Sequence, residues 1–126
     1  MKNDLSFENN DELNRFLANK SAETLKLFNH FIAEYQKLAS VTIHPAKTMI
    51  GIANSHRRIA WITQLGKNFM HIVFPFKKEY PDNLCFQKIA QVPADAHQFN
   101  HHFRMYNVDD VNDEVKKFMQ MAYEDK

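Results

Sequence analysis

One cysteine, two glycines and four prolines are all that this 126-residue chain contains of those residues, and the first two shortages exclude particular chemistries. With Cys85 alone, no intrachain disulfide forms and no cysteine-rich zinc site exists, which favours a reducing compartment. Gly51 and Gly66 cannot build a phosphate-cradling loop. Neither sign of charge dominates. Sixteen basic residues against fifteen acidic ones leave a formal net charge of +1, without the surplus of a dedicated nucleic-acid binder. No apolar run approaches the ~20 residues that cross a bilayer. The opening Met1-Lys2-Asn3-Asp4-Leu5 lacks the apolar stretch of a signal peptide. The expectation is a cytoplasmic protein that engages no membrane.

What is present is material for a core. Hydrophobic residues make up 44% of the chain, with eleven Phe, four Tyr and the single Trp61. A chain of this length removes roughly two thirds of its unfolded surface from water on folding, and phenylalanine adds a large apolar area with no polar group to satisfy.

Periodicity then orders the elements. Residues 1–20 form a polar N-terminal extension in which residues 11–18 read as a short helix, with Asn10 as N-cap and Leu13, Phe16 and Leu17 as its apolar face. Ser21 is a second N-cap. Leu25, Phe28, Ile32, Tyr35 and Leu38 then recur at helical spacing, predicting a helix over residues 22–39. From Ser40 the period changes to two. Brief strands are expected at 41–43, 48–54, 58–64 and 69–74, with Ile59, Trp61 and Thr63 opposing Ala60 and Ile62 in the third. Residues 76–83 read as irregular between Pro75 and Pro81, and residues 84–91 fit either period.

The stretch from Phe99 to Tyr106 alternates, so His101, Phe103 and Met105 share one strand face while His102, Arg104 and Tyr106 share the other. Val111, Val115, Phe118 and Ala122 follow at helical spacing, behind Asn107 or Asp109 as cap and the acidic first-turn residues Asp109, Asp110 and Asp113. Short turns favour antiparallel pairing. The fold class expected is α+β: a mostly antiparallel sheet of four to six strands, with two N-terminal helices and one C-terminal helix packed mainly on one face. Residues 21–126 read as a single such domain.

Several of these pieces together carry a resemblance. They are Thr48-Met49-Ile50-Gly51-Ile52, Ala60-Trp61-Ile62, Phe69-Met70-His71-Ile72, His101-His102-Phe103-Arg104-Met105, Val108-Asp109-Asp110-Val111 and Met121-Ala122-Tyr123-Glu124. In order and spacing the chain from about Ser21 to Glu124 resembles a bacterial family of uncharacterised domains, domain of unknown function 5655. The resemblance implies a small α+β domain that occurs alone or appended to other bacterial domains, some of them nuclease-like. It implies an accessory or binding role and no particular activity.

Histidine is the best chemical candidate, with seven copies. His97 and His101 have the spacing of a helical zinc pair. On a strand, residues four apart stand ~13 Å from each other, too far to grip one ion, so no metal site and no cofactor are expected. A second grouping holds more: His71 and one of His101 or His102, on one sheet face with Arg58 or Arg104, would frame a polar pocket able to take an anion. The candidate ligand residues are therefore Arg58, Trp61, His71, His102 and Arg104. Arginine supplies fixed charge and a donor fork, tryptophan a stacking plane, and the histidines adjustable donors. The basic residues Arg57, Arg58, Lys77 and Lys78, with aromatics near in sequence, resemble a nucleic-acid groove.

No nucleophile stands out. Ser21, Ser40 and Ser55 sit at caps or turns, and Cys85 has no histidine beside it in sequence. The leading expectation is thus a non-enzymatic binding or accessory module for a small anionic ligand or a protein partner, with a homodimer through exposed aromatics as one form it takes. An accessory nucleic-acid module comes second, and a histidine-dependent enzyme third.

Overall fold

The computed structural model describes residues 10–124. The first nine residues of the expected N-terminal extension and the Asn10 side-chain cap fall outside the described residues and side chains. Element order is α1 (Asn10–Leu17), α2 (Ala22–Leu38), β1 (Thr42–Pro45), β2 (Ile50–Ala53), β3 (Arg58–Leu65), β4 (Met70–Phe76), β5 (Lys88–Val92), β6 (Asp95–Met105), a 3-10 turn (Val108–Asp110) and α3 (Asp113–Glu124). This is the α+β architecture expected, with two helices before the sheet and one after it.

The six strands form one antiparallel sheet in the order β1-β2-β3-β4-β6-β5. The first four make a meander. The chain then leaves the sheet, forms the outer strand β5, and turns through Pro93 and Ala94 to bring β6 back between β5 and β4. In the central pair, Met70 faces Met105, His71 faces Arg104 and Val73 faces His102.

One sheet face is apolar because its strands alternate. Ile50 and Ile52, Ile62, Ile72 and Phe74, and Phe103 and Met105 join Leu27, Phe28, Phe31 and Ile32 of α2 and Val115, Phe118, Met119 and Ala122 of α3 in a single core cluster. The buried Tyr35 fastens the two long helices together, its hydroxyl donating to the Met119 carbonyl at 2.7 Å. Burial pushes the Tyr35 phenol far above its ordinary value, so that proton stays in place. At the other end of α2, Ser21 Oγ accepts from the Thr24 N–H (3.1 Å) and donates to the Lys67 carbonyl. Buried Thr24 donates to the Phe69 carbonyl at 3.0 Å, so the helix start is tied to the β3–β4 turn. Asn54 does the same at the other end of the sheet, donating to the Tyr123 carbonyl at 3.0 Å while its side-chain oxygen takes the His56 and Arg57 N–H groups. After α1, Asn19 takes the left-handed backbone (φ 64°) that reverses the chain, a conformation asparagine tolerates.

Several local expectations need correcting. Thr24, Leu27 and Phe31 join the buried side of α2, whereas Leu25 is only partly buried. Ile59 lies in the core with Ala60, not beside Trp61, because the β2–β3 register shifts between Ile52 and Ala53. Strand β4 runs on through Pro75 to Phe76, beyond the last β3 pairing at Val73. Residues 84–87 are irregular, and β5 begins only at Lys88. The cap of α3 is Asn112, whose side-chain oxygen accepts from the Val115 N–H at 3.0 Å. Asp110 precedes that helix and instead accepts from the Tyr106 and Asn107 N–H groups (2.8 and 2.9 Å).

Candidate functional site

The sheet face away from the helices is polar and carries a depression of about 510 Å³, a volume within the usual range for small-molecule sites. Strand alternation builds it. From β6, Gln98, Asn100, His102 and Arg104 face it; from β4, His71, Val73 and Pro75; from β3, Trp61 with Thr63 and Gln64. Thr63 and Gln64 are consecutive yet both reach it, because the β3–β4 register shifts between Ile62 and Gln64. Met49 closes one side.

Four of the five expected ligand residues, Trp61, His71, His102 and Arg104, line this depression. Arg58 does not line it. It stands beside Trp61, and both side chains lie across Gly51: a Cβ built on Gly51 would come within 3.1 Å of Arg58 Cδ and of Trp61 Cζ3. The missing side chain at Gly51 is what lets the indole and the arginine stem lie flat there.

Arg104, His71 and His102 form a directional chain. Arg104 Nε donates to His71 Nδ1 at 3.3 Å, and His71 Nε2 lies 2.9 Å from His102 Nδ1. Arginine has no acceptor and keeps its proton, so His71 Nδ1 accepts and the His71 proton sits on Nε2. His71 therefore donates to His102 Nδ1, and neutral His102 carries its own proton at Nε2. Burial lowers the His71 pKa, with His102, Arg104 and Lys88 adding to the effect. Burial and then Lys88 lower that of His102. Both rings are neutral near pH 7, and Arg104 is the only charged side chain in the lining. Its guanidinium is seated over the Phe69 ring, 4.4 Å from the centroid, which fixes its position.

His101 points the other way and does different work. Fully buried, it donates from Nδ1 to the Phe99 carbonyl (2.8 Å) and accepts the Tyr80 N–H at Nε2 (3.1 Å). Phe76, Tyr80 and Phe86 surround its ring, with centroids 4.9, 5.7 and 5.1 Å away. It thereby pins the irregular segment between β4 and β5. Burial lowers its pKa too, against its backbone hydrogen bonds. Glu114 holds the same segment from α3, accepting from the Leu84 N–H at 3.1 and 3.2 Å. Leu84 itself projects into solvent, 97% exposed.

Among the described residues, no group of three His, Cys, Asp or Glu side chains is placed to hold a metal ion. The His71–His102 pair offers two nitrogens with a cation beside them, a setting that repels a metal. Burial, and then Glu114, pushes the Cys85 thiol up to about 12, so it stays protonated and a poor nucleophile. Of the basic residues, Arg57 and Arg58 at the start of β3 and Lys77 and Lys78 after β4 belong to the same end of the sheet. Lys67 lies at the opposite end, and Lys116 pairs with Glu34 on the helix layer at 3.2 Å.

Sequence reasoning missed Asn100 and Gln98, although extending the period of two backwards from His102 reaches both. Thr63 shares the Trp61 face by alternation, whereas Gln64 left no such signal, since a bulge joins it to the face.

The fold and site define a small α+β domain whose sheet is helix-covered on one side and hollowed on the other. The chain belongs to the family described as Domain of unknown function (DUF5655), whose model matches residues 14–126. No curated protein and no solved structure matches it. No helix among the described residues is long and apolar enough to cross a membrane.

Proposed function

We propose that this chain is a non-enzymatic binding module of the bacterial cytoplasm that captures a small anionic ligand on its open sheet face. The observation supporting this reading is the cavity in which Arg104 is the one charged group, surrounded by neutral donors and an indole plane. Among the described residues, no carboxylate pairs with that guanidinium. A partly buried cation held by a ring and a histidine, with no carboxylate on it among the described residues, is preorganised for an anion. The test is thermal unfolding of the protein against a panel of small anions, for wild type and for Arg104→Gln. A ligand at a hundred times its Kd adds about 2.7 kcal/mol of stability, so the melting temperature rises for wild type and not for the variant. No rise with any anion removes the reading.

A nucleic-acid surface is the second reading, and the convergence of Arg57, Arg58, Lys77 and Lys78 at one sheet end favours it. It requires single-stranded oligonucleotide binding that weakens steeply with salt. Binding that is absent, or insensitive to salt, discards it.

A further inference from the structure

The hydrogen-bond chain restricts what kind of anion the cavity suits, an inference that rests on the anion-binding reading above. Arg104 Nε is committed to His71, so the guanidinium has only its two terminal nitrogens left to offer. Those present an end-on fork, whose two parallel N–H groups match the two oxygens of a carboxylate. His102 adds one further donor, the Nε2–H left over after Nδ1 accepts from His71. Within the lining Arg104 is the only charged side chain, with Lys88 of β5 paired beside His102 outside it, so one carboxylate on the fork matches the charge the lining itself holds.

The rest of the cavity is flat and apolar where the charge ends. Trp61, Val73 and His102 lie in register across β3, β4 and β6, so Trp61 and His102 stand two strand spacings apart, roughly 10 Å. Val73 between them is small and only slightly exposed, and the indole lies flat over Gly51, so they floor a shallow slot that the His102 ring bounds on the far side. A flat indole face favours a planar ring, which stacks on it, over a puckered one.

We propose that the ligand is an aromatic monocarboxylate, its ring in the slot against Trp61 and its carboxylate on the Arg104 fork and the His102 Nε2–H. Free aromatic acids and the aromatic-acid ends of larger metabolites share this chemistry, and the ring and the carboxylate are the parts recognised.

Trp61 is the only tryptophan in the chain, so its emission reports on the slot directly. The probe is benzoate, titrated into the whole protein with excitation at the red edge of the indole band and with thermal unfolding as a parallel readout. Phenyl phosphate, cyclohexanecarboxylate and acetate are the comparison ligands. Benzoate is expected to change the emission saturably and to bind more tightly than all three. Arg104→Gln is expected to weaken it by about tenfold or more, the loss of one charge-assisted fork. Arg104→Lys, which keeps the charge and loses the fork, also weakens it, and Lys116→Gln on the helix layer does not. Phenyl phosphate binding as tightly as benzoate overturns the carboxylate assignment and leaves the anion reading standing. Cyclohexanecarboxylate binding as tightly overturns the aromatic slot. Full affinity in a folded Arg104→Lys overturns the fork. If no anion shifts either the emission or the melting temperature, both this proposal and the anion reading fall.

Discussion

Phe69 rests on Gly66 so closely that a Cβ there would lie 2.2 Å from the ring edge. The same ring carries the Arg104 guanidinium, so the missing side chain at Gly66 leaves room for the ring on which the cation sits. Gly66→Ala forces the ring to move, and a crowded packing site of this kind costs about 1–3 kcal/mol. Chemical denaturation measures that loss, and an unchanged midpoint contradicts it. Cys85 supports a second prediction. With its thiol pushed up to about 12 by burial and then Glu114, alkylation by iodoacetamide near neutral pH should be far slower in the native protein than in denaturant. Equal rates would show the thiol to be open. At this scale the sequence was most informative about direction. That His101 and His102 serve opposite faces followed from alternation alone. That one is a clamp and the other a pocket wall did not, because the clamp's partner, the Tyr80 N–H, belongs to a segment without any period.

Elements were legible where their period is long and unbroken. Helix α2, the body of α3 from Val115 onward and the strand β6 stand where spacing predicts them, because many residues vote for each, while Val111 precedes α3. Two kinds of feature escaped. Bulges near Ile59 and Thr63 slip the register by one residue, and a single slip reverses every facing beyond it. The start of α3 escaped for a different reason. Asn107, Asp109, Asp110 and Asn112 can all cap a helix, and only the folded turn shows Asn112 in that role. Asn112→Ala should therefore cost about 1 kcal/mol, read from thermal or urea unfolding. Asp109→Ala, at an exposed position in the 3-10 turn, should change little. Equal losses would place the cap elsewhere.

For the molecule as a whole, three partly or fully buried histidines make stability fall with acid. His71, His101 and His102 all have pKa values below their unfolded ones, chiefly through burial. Below the unfolded value of about 6.5, the unfolded chain binds protons that the native state does not, so native stability drops as pH falls through that range. Glu34, lowered by Lys37 and Lys116, adds its own loss only near the ordinary carboxylate range, about pH 4. Melting temperatures at about pH 7.5 and 5.5 test this, spanning the histidine window. His101→Asn should melt lower than wild type at the higher pH yet lose less on acidification. A wild-type melting temperature that is flat between the two would count against the three neutral rings. The one-sided helical cover was foreseeable from the order of elements. The strand order was not: nothing local in residues 95–105 says that they pass β5 and pair with β4, and the His71–Arg104 meeting depends on that pairing.

That late insertion also governs how the chain is made. While the nascent polypeptide threads out of the ribosome, β1 to β4 can assemble as they appear, but the inner edge of β4 waits bare for residues 95–105. The apolar side of that unfinished sheet also lacks α3, which emerges later still. Translation must therefore deliver nearly the full domain before its barest edge is covered. Until then that edge presents unpaired backbone N–H and C=O groups, the kind of template on which another strand adds.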